Sequence, residues 1–200
     1  MKKLIIYVHG KGGSALEVER FKKNCPDFDM FGVDYRKYLP WIVEKQIRDA
    51  YQKLEPQYDQ ILLLANSIGA YFSMLALQGL PIQKALFISP ILNMEKSITD
   101  TLQTNNLTEA DLEERQEITL GRKNLSWKYL QFVREHPINW RVRTEILYGE
   151  KDNHTSKIVL EDFIKTHNAH VTTMKNGEHW FHTKEQLRFL DNWMQKTVES

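Results

Sequence analysis

The sequence has little cysteine, little imbalance of charge and no long apolar run. Its single cysteine, Cys25, excludes an internal disulfide, and the lack of a Cys/His cluster argues against a zinc site. A formal net charge of +1 gives no electrostatic reason to expect a nucleic acid or an acidic membrane surface as partner. No apolar stretch approaches the length of a membrane span. We therefore expect no metal, nucleic-acid or membrane function.

The amino-terminal segment resembles a signal peptide only superficially. Its apolar run, residues 4–8, is shorter than the roughly 7–15 residues of a hydrophobic signal region, and His9-Gly10 follows at once. We therefore expect a cytoplasmic protein. With 200 residues, of which 42% are hydrophobic and 26% charged, the composition predicts one globular domain over residues 1–200.

Three glycines follow the first apolar run, within residues 9–14 (HGKGGS). Glycine-rich turns after a strand can bind phosphate, but neither G-x-G-x-x-G nor G-x-x-x-x-G-K-[ST] is present, which disfavours nucleotide binding. His9 is predicted to brace this loop by a side-chain hydrogen bond. Ser14 and Glu17 have the spacing of a capping box, which predicts the start of a helix.

Strand-like and helix-like segments alternate along the whole chain. The patterns predict strands over residues 4–8, 30–35, 61–65, 84–89, 142–148 and 170–174, and helices that include 41–54, 155–167 and a terminal helix from 183. This alternation predicts an α/β domain with a mostly parallel sheet and helices on both faces.

Residues 92–138 differ from the rest because they are more polar and too long for an ordinary connection. Helical spacing within them predicts an insertion of two or three short helices. Such an insertion over an active site is often a lid. A plain crossover with extra helix is the alternative.

The sharpest motif lies in residues 60–79, where an apolar run passes into helical spacing with almost no loop between them. The chain must therefore turn sharply at Ser67, between the small residues Ala65 and Gly69. This is the G-x-S-x-G pattern of a nucleophile elbow with alanine in the first glycine position. The alternative is that Ser67 only caps the helix.

Polar residues also follow the other predicted strands. Parallel sheets gather functional groups at the carboxyl ends of their strands, and Ser67, Asp152 and His179 all lie at such ends. Their chain order is that of a nucleophile, an acid and a base. Weaker candidates nearby are Glu150 and Asp34 for the acid, and His182 and His154 for the base.

Four pieces of the sequence together resemble the α/β-hydrolase superfamily, in particular its small, carboxylesterase-like serine hydrolases. They are His9-Gly10 before a glycine-rich loop, residues 65–69 (ANSIG), 147–152 (LYGEKD) and 177–179 (GEH). The resemblance implies an α/β-hydrolase fold with six sheet strands in the order 2-1-3-4-5-6, counted along this chain. Ala65 departs from the superfamily pattern, and the first two strands of the superfamily are expected to be missing.

The resemblance also implies an activity and the residues that carry it. It implies a serine hydrolase that cleaves a small-molecule carboxylic ester without a metal or cofactor. Ser67 would be the nucleophile, His179 the base and Asp152 the acid, with the backbone N–H groups of Lys11 and Ile68 as the oxyanion hole.

Two tryptophans, Trp127 and Trp180, are the candidates for binding the substrate, and the alternative is that they are core residues. Thioesterase, peptidase or carbon–carbon bond hydrolase chemistry could use the same triad. A hydrolase-like binding protein without turnover is a further alternative. The sequence indicates neither the chain length of the substrate nor the oligomeric state.

Overall fold

The computed structural model describes residues 1–121 and 123–199, and the strands in this part form two sheets. The strands are β1 (Lys3–Val8), β2 (Asp29–Gly32), β3 (Gln60–Asn66), β4 (Lys84–Ile88), β5 (Glu117–Leu120), β6 (Lys123–Ser126), β7 (Thr144–Gly149) and β8 (Ala169–Met174). Six of them form one sheet in the order β2-β1-β3-β4-β7-β8, and every pair in it is parallel. Strands β5 and β6 form a separate antiparallel hairpin.

The large sheet confirms the predicted architecture. Counted along the chain without the hairpin, its six strands follow the predicted order 2-1-3-4-5-6. The hairpin is the difference, since the sequence pattern predicts only helices in that region.

Eight α-helices lie within the described residues. They are α1 (Val18–Phe21), α2 (Pro40–Leu54), α3 (Ile68–Leu77), α4 (Met94–Thr104), α5 (Glu109–Arg115), α6 (Trp127–Glu135), α7 (Lys157–Thr166) and α8 (Lys184–Glu199). Short 3₁₀ helices occupy Ala15–Glu17, Lys22–Asn24 and Glu55–Gln57. Helix α2 begins at a proline, whose fixed φ suits the first turn. Within the described residues, no helix is both long and apolar enough to cross a membrane.

Helices cover both faces of the large sheet. On one face, side chains of the central strands such as Ile5 and Leu62 pack with Trp193 and Met194 of α8 and with α1 in one buried cluster. Alternate strand residues point the other way and are also buried, and α3, which packs on α2, contacts β1 and β3 outside that cluster. Burial on both faces explains why the central strands read as continuous apolar runs.

The chain divides into two compact units. The first, Met1–Leu92 with Asn139–Ser200, contains the large sheet, and the second is Asn93–Ile138. The second unit holds α4, α5, α6 and the hairpin, and its helices are joined by ion pairs from Arg134 to Glu95 and Glu109. A lid role for this unit stays a prediction.

The predicted capping box near the first helix is wrong. The Ser14 side chain makes no capping hydrogen bond. The Glu17 carboxylate instead accepts a hydrogen bond of 2.5 Å from the hydroxyl of Tyr7. Because Tyr7 is fully buried in β1, its hydroxyl needs a partner inside the protein, and Glu17 is within reach.

Candidate active site

The turn from β3 to α3 places Ser67 in an unusual backbone conformation. Its φ of 53° and ψ of −121° lie in a region that non-glycine residues rarely adopt, so the surrounding structure must hold it. The N–H of Ser67 donates to the Ile88 carbonyl at 2.9 Å, and its carbonyl accepts from the Ile91 N–H at 3.0 Å. The Ser67 side chain makes no capping hydrogen bond to α3. Its hydroxyl is therefore available to other partners.

Gly69 explains how α3 can begin directly after the strand. A β-carbon at this position would lie 2.4 Å from the carbonyl oxygen of Val8 and 2.6 Å from that of His9. Only glycine allows the start of α3 to approach β1 so closely. Ala65, where the motif usually has glycine, is fully buried in β3 between β1 and β4.

The loops after β7 and β8 meet at another glycine. A β-carbon on Gly149 would lie 2.6 Å from the carbonyl oxygens of both Gly177 and Glu178. The N–H of Lys151 donates to the Gly177 carbonyl at 2.8 Å and fixes the contact between the loops. This close approach brings the loop that carries Asp152 to the turn that carries His179.

Ser67, His179 and Asp152 form a hydrogen-bonded row. The Ser67 Oγ lies 2.9 Å from His179 Nε2, and His179 Nδ1 lies 2.8 Å from Asp152 Oδ2. The Asp152 side chain is fully buried, whereas that of His179 is 17% exposed. With hydrogen on Nδ1, the imidazole donates to Asp152 and its Nε2 accepts from Ser67, which suits it to receive the serine proton.

The second carboxylate oxygen of Asp152 is satisfied by backbone groups. Asp152 Oδ1 accepts from the N–H of His154 at 2.8 Å and from the N–H of Thr155 at 3.3 Å. A buried carboxylate without such partners would be costly. The loop after β7 therefore orients the carboxylate toward His179.

The weaker candidates take other positions. Glu150 accepts from the N–H of Asn176 at 2.8 Å and belongs to a turn. The three others are Asp34, which is exposed beyond the end of β2; His182, whose Nδ1 contacts the Trp180 carbonyl; and His154, whose exposed ring lies 4.2 Å from that of His179 between centroids. The sequence did not predict the contact between His154 and His179. Its only signal was that His154 lies two residues after Asp152.

The glycine-rich loop after β1 runs beside Ser67. A β-carbon on Gly10 would lie 3.2 Å from that of Ser67, and Lys11 comes next in this loop. Ile68 is the first residue of α3, so its N–H has no partner within the helix. The assignment of the Lys11 and Ile68 amides to an oxyanion hole stays a prediction.

Aromatic residues hold this loop in place. His9 is buried, and its Nδ1 and Nε2 lie 2.8 Å and 3.2 Å from the carbonyl oxygens of Gly10 and Tyr35. Its ring stacks on that of Tyr35 at 4.0 Å, and the Tyr35 hydroxyl donates to the His9 carbonyl. The N–H of Gly12 donates to the Tyr38 hydroxyl at 2.8 Å. The predicted bracing by His9 is confirmed.

The two candidate tryptophans lie in different units. Trp180 follows His179 directly and is 76% exposed, so it is not a core residue. Trp127 begins α6 in the second unit, where it is partly buried and its N–H donates to the Gln116 carbonyl at 2.9 Å. A substrate-binding role for either tryptophan stays a prediction.

No protein-family model and no curated protein matches this chain, whereas solved structures do. It is similar to Est1E from Butyrivibrio proteoclasticus, with a TM-score of 0.77 and 16% identity over 99% of this chain and 87% of that one. A structure of ferulic acid bound to Est1E gives a TM-score of 0.72 and 15% identity, over 98% and 88%. Alpha/beta hydrolase domain-containing protein 10 from mouse gives 0.71 and 18%, over 98% and 89%. At these identities the likeness shows the fold alone.

Proposed function

We propose that this chain, which has the α/β-hydrolase fold, is a serine hydrolase that cleaves a carboxylic ester through an acyl-enzyme. The observation that carries the proposal is the row of hydrogen bonds from Ser67 Oγ to His179 Nε2 and from His179 Nδ1 to Asp152 Oδ2, at 2.9 Å and 2.8 Å. A serine hydroxyl is a weak nucleophile unless an adjacent base accepts its proton. The strained elbow at Ser67 supports the proposal, because such conformations concentrate at functional sites.

The first half of the reaction forms the acyl-enzyme. Ser67 Oγ attacks the ester carbonyl carbon while its proton moves to His179 Nε2, and the carbonyl oxygen becomes an oxyanion. Asp152 stabilises the imidazolium. When the tetrahedral intermediate collapses, the bond to the leaving oxygen breaks and that oxygen takes the proton from His179. The alcohol leaves and the acyl group stays on Ser67.

The second half repeats these steps with water. His179 accepts a proton from the water that attacks the acyl carbon, and then returns it to Ser67 Oγ as the carboxylic acid leaves. We propose that the N–H groups of Ile68 and Lys11 stabilise the oxyanion in both halves. Removal of one such donor costs roughly 3–4 kcal/mol of barrier in enzymes where this was measured.

The exposed indole of Trp180 supports a small-molecule substrate with an apolar portion. Trp180 is 76% exposed and follows His179 directly in the chain, so that an apolar leaving group or acyl chain could cover its ring. Est1E, to which the fold is similar, has been solved with ferulic acid bound. We propose an ester of a small organic acid as the substrate class, and we keep a cytoplasmic location as the prediction of the sequence.

A fluorophosphonate probe tests whether Ser67 is a nucleophile. Wild-type protein should be labelled covalently, Ser67→Ala should not be labelled, and His179→Ala and Asp152→Asn should be labelled much more slowly. Ser97→Ala, which changes a serine in the second unit, is the matched control and should be labelled like wild type. Equal labelling of wild type and Ser67→Ala would refute the proposal.

Turnover of matched acyl substrates identifies the bond that is cleaved. Chromogenic esters of increasing acyl length, the corresponding thioesters and amino-acid arylamides should be compared in wild type and Ser67→Ala. Faster Ser67-dependent cleavage of the esters supports the proposal, whereas preference for a thioester or an arylamide would change the class of bond. A ligand-dependent rise in melting temperature with no turnover would indicate a binding protein.

A further inference from the structure

Thr155 is a buried polar residue that the proposed mechanism does not use. It lies three residues after Asp152, just before α7, and is 3% exposed. Its N–H donates to Asp152 Oδ1 at 3.3 Å, its carbonyl accepts from the Tyr148 hydroxyl at 2.8 Å, and its hydroxyl donates to the Pro90 carbonyl at 2.6 Å. The last of these bonds leaves the loop that carries the acid and reaches the end of a different strand.

Pro90 belongs to the turn that holds the nucleophile. The turn comprises residues 88–91. Its Ile88 carbonyl accepts from the N–H of Ser67 at 2.9 Å, and its Ile91 N–H donates to the Ser67 carbonyl at 3.0 Å. Both backbone polar groups of Ser67 are therefore bonded to residues that flank Pro90. Ser89 within this turn is buried and has a φ of 45°, a backbone conformation that non-glycine residues rarely adopt. The surrounding structure must therefore hold the turn.

The hydrogen bonds around Thr155 close a circuit. From Ser67 Oγ the circuit passes through His179 to Asp152, and from Asp152 to the N–H of Thr155. It returns from the Thr155 hydroxyl to the Pro90 carbonyl, and through the turn to the Ser67 backbone. Thr155 thus contacts Asp152 through its N–H and, through its hydroxyl, the turn that holds the Ser67 backbone.

We propose that Thr155 is a positioning residue that sets the distance between the nucleophile and the acid–base pair. This inference rests on the proposed function. Replacement of the hydroxyl by a methyl group removes the hydrogen bond from Thr155 to the Pro90 carbonyl. This bond joins the loop after β7 to the turn after β4. The turn stays bonded to β7 through the Ser89 N–H and the Leu147 carbonyl, at 2.8 Å, but the loop that carries Asp152 loses its side-chain contact with the turn. Ser67 and His179 then no longer meet in the reactive geometry. A small misplacement of reacting groups can lower the rate by as much as about 10²-fold.

Three variants test the proposal. Thr155→Val keeps the shape and removes the hydroxyl, while Thr155→Ser keeps the hydroxyl. Thr197→Val is the matched control, since Thr197 is 7% exposed and its hydroxyl donates to the Trp193 carbonyl at 2.6 Å, within α8. Each variant should be compared with wild type for kcat and KM on one chromogenic ester, for melting temperature, and for the rate constant of fluorophosphonate labelling.

Thr155→Val should lower kcat and the labelling rate constant by about ten- to a hundredfold with KM within twofold. Thr155→Ser should restore most of both rates. Thr197→Val should lower the melting temperature and leave both rates unchanged. The labelling rate constant is measured only on molecules that react, so it reports the geometry even if Thr155→Val folds incompletely.

A residue that only supports the fold would give a different pattern. If Thr155→Val melts at a lower temperature but labels at the wild-type rate, or if Thr155→Ser loses as much as Thr155→Val, the positioning role is wrong. Failure of wild type itself to label at Ser67 would instead refute the proposed function. The two failures are therefore distinguishable.

Discussion

Replacement of Gly69 by alanine should destabilise the protein, although helix propensity predicts the opposite. Gly69 lies in the first turn of α3, and alanine is favoured over glycine in a helix by up to about 1 kcal/mol. The added β-carbon, however, would lie 2.4 Å from the Val8 carbonyl oxygen and 2.6 Å from that of His9. Propensity and packing therefore predict changes of opposite sign.

The packing effect should be the larger of the two. Real β-carbons essentially never approach another heavy atom more closely than 3.0 Å, so the contact with Val8 must lengthen by at least 0.6 Å (3.0 − 2.4). Both obstructing atoms belong to the backbone at the end of a buried strand, where neither can rotate away. Overpacking of a core costs roughly 1–3 kcal/mol, and a backbone obstacle falls at the upper end of this range. After the gain in propensity, we expect a net loss of about 2 kcal/mol.

The assay is thermal unfolding of wild type, Gly69→Ala and a control, followed by circular dichroism. For a chain of this size, a loss of about 2 kcal/mol lowers the melting temperature by roughly 4–8 °C. Turnover should fall as well, because a shift of His9 moves the glycine-rich loop away from Ser67. Gly79→Ala is the control: its φ is +77° and nothing lies within 4 Å, so it should lose stability through backbone strain but keep its kcat.

An unchanged or higher melting temperature for Gly69→Ala, together with wild-type turnover, would refute this reasoning. That result would mean that α3 can move away from β1 at no cost. The close approach would then have no role in the geometry of the elbow.

Three further predictions concern Trp180, Cys25 and Lys84. Trp180→Ala should raise KM several-fold for apolar esters at nearly constant kcat, and a loss confined to kcat would contradict a binding role. Burial raises the pKa of the Cys25 thiol to about 12, so Cys25 should react with a disulfide reagent at pH 8 only after unfolding, and rapid labelling of the native protein would contradict its burial. Lys84→Met should lower the free energy of unfolding by about 1–3 kcal/mol in urea titrations, because the buried Nζ donates to the Thr197 carbonyl at 2.6 Å and this carbonyl would lose its partner. No loss for Lys84→Met would show that the carbonyl finds another donor.

The predictable part of the site is the part that backbone topology fixes. An apolar run that ends in a small or polar residue marks the end of a buried strand, and parallel strands end at one edge. Ser67, Asp152 and His179 therefore follow strands that end at the same edge of the sheet, whatever their rotamers. Gly69 was recognisable for a related reason, since a sharp turn at Ser67 needs a small residue there, whereas the close approach at Gly149 was not predicted.

The hairpin β5–β6 was not predictable from the pattern of apolar residues. Each of its strands has only four residues, and only Ile118 and Leu125, which pair across the hairpin, are buried. Alternation over so few positions cannot be told from the polar, helix-like sequence around it. The helices beside it have longer patterns, and the sequence predicted two or three short helices there without fixing their bounds; α4, α5 and α6 lie in this region.

Contacts between a side chain and a distant carbonyl were not predictable, and Thr155 shows why. The sequence predicts a helix from residue 155, and threonine hydroxyls at helix starts commonly cap the first turn. In the structure α7 begins two residues later, at Lys157, and the Ser156 hydroxyl accepts the N–H of Val159 in its place. Capping by Ser156 leaves the Thr155 hydroxyl available for the Pro90 carbonyl, 65 residues away in the sequence. A hydroxyl can satisfy a local or a distant partner with similar energy, so the choice between them depends on the packing of the strand ends, which the sequence determines only through the complete fold.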